Sequence, residues 1–132
     1  QAVALSSELF SEDSSKIFFV YDPNDFETNR QNFAGDLVLS LDVIYHLVED
    51  EVYRKYLTNV FNSAKKYVVI YSSDEEVPGT LHSRHVRHRK FTRHVEEWFP
   101  VWELKDILKN NQLKNKSKGN GPLPDFFIFQ AR

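Results

Sequence analysis

The hydrophobic positions of this chain change their period along its length, and those changes mark its elements. Ala2, Val3, Leu5, Leu9 and Phe10 recur at helical spacing, so residues 2–11 are expected to form a helix, stopped by the polar cluster at 11–15. Residues 16–21 form a short apolar run rich in β-formers and predict a strand. A turn is expected from Asp22 to Asp25, because Pro23 fixes φ while Asn24 and Asp25 can bond back to the local backbone. Residues 26–33 admit a short helix. Residues 36–41 predict the next strand, and their apolar content suggests burial on both faces, as in a parallel sheet.

The second half is read the same way. Residues 48–64 predict a helix with Val52, Tyr56, Leu57, Val60, Phe61 and Ala64 on one face. Lys65 and Lys66 suit its C-terminus, where the helix dipole favours cations. Residues 67–71 are a third apolar strand, and 72–79 a loop with Pro78-Gly79 as its turn. Thr92 can cap a helix that runs to Phe99 and stops at Pro100. The alternation over 101–108 fits a strand, with a helix as the competing reading. Residues 109–124 are polar and read as a loop, and 125–130 form the last strand. Strands alternating with helices argue for a largely parallel sheet built from right-handed crossovers. The last two strands, with no helix between them, suggest an antiparallel pair at one edge. The expected fold is therefore α/β, a three-layer mixed sheet of about five strands with the last strand antiparallel.

Composition narrows the classes. A chain of 132 residues is expected to form one domain, 1–132. No apolar run approaches the ~20 residues of a membrane span, so no membrane partner is expected. The absence of Cys excludes disulfides and a thiolate nucleophile and is compatible with a cytoplasmic setting. The first helix begins without a capping residue and the first residue is not Met, so the chain is expected to begin mid-domain. A net charge of −2 argues against the whole chain being a polyanion binder. The charge is uneven, however. Residues 82–94 hold Arg84, Arg87, Arg89, Lys90 and Arg93 with no acid, while 42–51 hold Asp42, Glu49, Asp50 and Glu51. Such asymmetry either steers a ligand or marks two solvated faces.

The segment Leu41-Asp-Val-Ile-Tyr-His46, continuing to Asp50, is similar to the strand-four loop of class I S-adenosylmethionine-dependent methyltransferases. The order of elements resembles the latter part of that Rossmann-like fold over essentially the whole chain. The family has a seven-stranded sheet whose last strand is antiparallel. The resemblance implies that 2–11 correspond to the helix after strand two and 16–21 to strand three. Residues 36–41 and 67–71 would then be strands four and five, and 101–108 and 125–130 strands six and seven. The chain departs from the family in one respect. The cofactor turn after strand one is rich in glycine, because backbone must approach the ligand closely, and an acid after strand two holds the ribose. The four glycines, Gly35, Gly79, Gly119 and Gly121, supply no such turn. The resemblance therefore implies an N-terminally incomplete domain that carries the substrate half of a methyltransferase. It would be inactive alone and bind S-adenosylmethionine weakly or not at all. Strand 36–41 would become an edge, covered by 16–21 or by a homodimer joined there.

The resemblance also assigns candidate residues. Asp22 matches a position that accepts from the adenine amine, and it reads equally as a turn-forming Asp. Phe26 covers the adenine face or packs in the core. Leu41, Asp42 and Val43 lie where loop backbone approaches the methionine part of the cofactor, and Asp42 alternatively contacts substrate or simply starts a helix. His46 can act as a general base near neutral pH or serve structurally at a loop–helix junction. Tyr45, His85, Arg87, His88 and Arg89 are the expected substrate-binding set. Arginine forks recognise carboxylate or phosphate, which suggests an anionic methyl acceptor. Two other readings of 82–94 stay open: nucleic-acid binding, with Phe91 and Trp98 stacking bases, and a solvated basic loop. His82, His85 and His88 lack the i, i+4 spacing of helical metal ligands, and no metal is expected. Trp98, Phe99, Trp102 and the aromatic strand 126–129 read as core.

Overall fold

The computed structural model describes residues 1–22, 26, 33–77, 85–110 and 122–132. Four strands form one open mixed sheet: β1 (Gly35–Leu41), β2 (Ala64–Ser72), β3 (Trp102–Leu108) and β4 (Asp125–Ala131), in the order β1-β2-β4-β3. The elements fully within the described residues also include three helices, α1 (Ala2–Leu9), α2 (Asp50–Ser63) and α3 (Phe91–Trp98), and a 3-10 turn at Ile44–His46. β1 and β2 run parallel, in register from Leu37 opposite Tyr67 to Leu41 opposite Tyr71, with α2 as the crossover between them. β4 lies antiparallel between β2 and β3, so the final pair is antiparallel as expected and β3 forms an edge. Residues 101–108 are therefore strand rather than helix. Their alternation suits a ladder on β4 that buries Trp102.

The core lies on one face of the sheet. Val68, Ile70, Phe127 and Phe129 pack against Tyr53, Leu57, Val60 and Phe61 of α2 and Phe91 and Val95 of α3. Aromatic contacts tie the layers together: Phe61 stacks on Phe99 at 4.6 Å and meets Phe129 edge-on at 5.5 Å, while Phe91 meets Phe127 edge-on at 4.9 Å. Each such pair contributes ~0.5–1.5 kcal/mol beyond area burial. Asp50 and Glu51 in the first turn of α2 complement its dipole.

Several expectations are corrected. The buried stripe of α2 centres on Tyr53 rather than Val52, which is exposed. Tyr53 can be buried because its hydroxyl and His94 Nδ1 share a hydrogen bond of 2.9 Å. Lys65 and Lys66 fall in β2, not at a helix end, since Ala64 passes directly into extended backbone. The sheet has four strands, not five, because residues 16–20 adopt no regular structure. A β-rich run becomes a strand only where a neighbouring ladder satisfies its backbone. This one is held by side chains instead: Tyr21 Oη accepts from Asn59 Nδ2, its ring meets Tyr56 edge-on, and Phe19 packs on Phe33.

Strand 36–41 is covered on one face only. Val38 and Ser40 face α2, where Ser40 Oγ and Tyr56 Oη are 3.0 Å apart, but Leu37, Leu39 and Leu41 stay about half exposed. The layer of α2 and α3 thus covers one side of the sheet, and α1 buries none of its residues. Among the described residues no helix is long and apolar enough to cross a membrane. The turn expected through Asp25, the stretch between Phe26 and Phe33, Pro78-Gly79 and Gly119 to Gly121 lie outside the described residues.

Candidate functional site

The carboxyl ends of the parallel pair β1 and β2 carry the polar cluster. In an open α/β sheet this is where ligands bind. β1 ends at Leu41, and Asp42 N–H extends the ladder by donating to Tyr71 O at 3.0 Å. Asp42 then takes φ 64°, a left-handed conformation that Asp tolerates better than most residues. This turn frees the chain from the sheet and starts the 3-10 turn. Ile44 enters the core and anchors it, while Tyr45 and His46 remain at the surface. Tyr45 Oη donates to Asp42 Oδ1. Partial burial, then the Asp42 carboxylate, push the Tyr45 phenol above its ordinary pKa, so it acts as a neutral donor.

The segment after β2 closes over this turn. Arg87 N–H donates to Tyr45 O at 2.8 Å, and His46 Nδ1 donates to His85 O at 3.3 Å. That bond makes Nε2 the acceptor nitrogen of a neutral His46 ring. His88 Nδ1 lies 2.6 Å from Ser73 Oγ, and the Tyr45 ring lies between those of His46 and His88, with centroids 4.5 and 5.7 Å away. Asp42, Tyr45, His46, His85 and His88, all named from sequence, are therefore brought together. Ser73 was not named. The polar pair Ser72-Ser73 at a strand's carboxyl end is the signal that marks it.

The two arginines behave differently from the expectation of a fork open to an anion. Arg89 is buried, and its guanidinium is spent internally. Nη1 donates to Leu47 O at 2.8 Å, and Nη2 donates to Val48 O at 2.7 Å and to Asp50 Oδ1 at 3.0 Å. The same group sits 4.3 Å over the Tyr53 ring. Arg87 Nη1 reaches Val48 O at 3.2 Å and Asp50 Oδ1 at 3.0 Å. Hydrogen bonding to Arg89, with Arg87 adding to it, holds the Asp50 carboxyl below its ordinary pKa. Lys90 pairs with Asp74 at 2.8 Å. Asp74 also caps α3, accepting from Thr92 N–H at 2.9 Å and from Thr92 Oγ1 at 2.8 Å. Thr92 is thus inside the first turn and is capped from the β2 loop, rather than being the cap itself.

The remaining candidates lie elsewhere. Phe26 is buried and stacked on Phe33 at 5.4 Å, beside a cavity of about 490 Å³ that Tyr21, Val43, Tyr56 and Asn59 also line. Val43 thus faces this cavity, whereas Leu41 lies on the uncovered sheet face and Asp22 is exposed. Among the described residues no group of three or more His, Cys, Asp or Glu could hold a metal ion. No protein-family model, no curated protein and no solved structure matches the chain.

Proposed function

We propose that this chain carries the acceptor-side wall of an S-adenosylmethionine-dependent methyltransferase site. The observation that carries the reading is the Asp42–His46 turn. It leaves the sheet at the carboxyl end of a parallel strand, and His46 Nε2 is left as its acceptor nitrogen. The antiparallel last strand supports the same reading. In this role Tyr45, held by Asp42, orients a bound acceptor, and His46 Nε2 takes the proton that the acceptor's nucleophilic atom gives up.

The described residues do not fit the whole cofactor. Gly35, their one glycine, opens β1 rather than a strand-to-helix turn. Weak contact is expected at the Asp42 turn alone. Titration of the ¹⁵N-labelled chain with millimolar S-adenosylhomocysteine should shift amides of 41–46 and their neighbours at 85–88, with no calorimetric binding at micromolar ligand. No localised shifts would overturn the methyltransferase reading, and micromolar binding would overturn the incomplete site.

The alternative, nucleic-acid binding through the basic segment, has less support. Arg87, Arg89 and Lys90 each pair with a carboxylate of this chain, which leaves less charge to release counterions from a phosphate backbone.

A further inference from the structure

Among the described residues, the sheet face opposite α2 and α3 is apolar and open. Leu37, Leu39 and Leu41 of β1 are 52%, 54% and 49% exposed, and Tyr67 of β2 is 40% exposed. Strand register sets them in rows with β2 and β4: Leu37 beside Tyr67, Leu39 beside Val69 and Ile128, and Leu41 beside Tyr71 and Phe126. These rows hold no charged side chain. The hydroxyl of Tyr71 already accepts from Asn110 Nδ2 at 2.7 Å, and its ring packs on Phe126 at 4.4 Å. At the β3 edge the rows meet Glu103, which pairs with Lys105 at 2.8 Å, and Asp106, and Lys65 of β2 lies beyond Tyr67.

We propose that a second copy of this chain packs on this face, sheet against sheet about a two-fold axis. Area is the first argument. The rows and the neighbouring Leu108 expose roughly 600 Å² per copy, at the upper end of patches left open on monomers. That is the lower end of the roughly 600–1,000 Å² each partner gives to a standard interface. Self-complementarity is the second. A two-fold contact sets the same patch against itself, and an uncharged patch meets itself without like-charge repulsion. An apolar centre with a rim of mixed charge also follows the usual anatomy of an interface. Two leucine-lined, twisted faces pack at about 10 Å with their strands roughly aligned. The face outweighs the free edge of β1 as the contact, since pairing along one short strand would leave the leucines in water. The proposal stands on the exposed rows and does not depend on the methyltransferase reading.

Sedimentation equilibrium of the whole chain over a micromolar concentration series tests it. The expected mass is twice 15.6 kDa. Leu39→Asp lies in the middle row, at its β1 end, and places a carboxylate from each copy in the contact. It should weaken the dimer about a hundredfold or more, and Leu39→Ser by a smaller factor. Both should keep the circular dichroism of the parent, because Leu39, though it also lines the cavity beside Phe26, lies on an edge strand and is 54% exposed. Val52→Asp, exposed on α2 and so on the opposite side, should leave the dimer constant unchanged. A parent that is monomeric throughout overturns the proposal, as does a Leu39→Asp variant that dimerises as tightly as the parent.

Discussion

Replacing Arg89 with Met separates a structural arginine from a ligand-binding one. The side chain is buried, and it donates to the carbonyls of Leu47 and Val48 and to Asp50 while covering the Tyr53 ring. Charge-assisted bonds to two carbonyls are worth about 1.5 kcal/mol each, the lower end of their range, since Val48 is partly open to water and regains a hydration partner. The Tyr53 contact adds about 1 kcal/mol. The Asp50 contact adds little, because that carboxylate is 71% exposed and exposed pairs give under about 1 kcal/mol. One factor runs the other way. Arg89 Nε is buried with no hydrogen-bond partner among the described residues, and removing it relieves about 1 kcal/mol of desolvation. Arg89→Met should therefore cost about 3 kcal/mol.

With an m-value of about 2 kcal/mol/M, that lowers the urea midpoint by roughly 1.5 M. The assay is urea unfolding followed by both circular dichroism and tryptophan fluorescence, whose coincidence checks two-state behaviour. All variants belong at one protein concentration, because an associating chain's midpoint depends on it. Asp50→Asn should cost under about 1 kcal/mol. Arg89→Lys should recover less than half of the Met loss, since a single ammonium cannot span both carbonyls as the planar fork does. An Arg89→Met midpoint matching that of Asp50→Asn would refute the clamp and return Arg89 to the list of anion-binding residues.

Asp74→Ala removes the acceptor for Thr92 N–H and Oγ1, and should cost about 1–2 kcal/mol with faster amide exchange in α3; unchanged exchange there would show that α3 does not need the cap. Burial lowers the His94 pKa from its ordinary 6.5. The unfolded chain then binds the proton first, so this contribution to stability is complete above pH 6.5 and is lost as pH falls toward the lowered value. The stability of the parent relative to His94→Gln should accordingly decline on acidification from pH 6.5, and a pH-independent difference would contradict the assignment.

The strands at 36–41, 67–71, 101–108 and 125–130 were legible because each is an apolar or alternating run bounded by turn residues, a signal carried within a few positions. Residues 16–21 carry the same local signal and are not a strand, because strand geometry also needs a partner and local composition does not encode one. The two-sided burial expected for β1 failed for the same kind of reason. Leu37, Leu39 and Leu41 state what the strand can bury, not what covers it. The candidate site was legible as a place, the ends of β1 and β2; Tyr45 and His46 were found by lying just after β1, and His88 by belonging to the basic segment 82–94. The roles of Arg89 and Asp74 were not legible. Arg89 meets Leu47 and Asp74 meets Thr92 across 42 and 18 residues, and no periodicity links such positions.

Those long-range contacts change the meaning of the charge asymmetry. The acidic stretch 42–51 and the basic stretch 82–94 are not two independent faces. Arg87 and Arg89 of one bind Asp50 of the other and hold the intervening backbone at Tyr45, Leu47 and Val48. Asp50 offsets one of the two positive charges, so the contact weakens the local field and adds rigidity to the turn. A rigid turn is what a proton-accepting residue requires, because its base must be held within hydrogen-bonding reach of the acceptor atom. In the proposed site the arginines would act as positioning residues, and the chemistry would fall to the groups they leave nearer the surface: the Asp42–Tyr45 pair, His46 Nε2 and the His88–Ser73 pair.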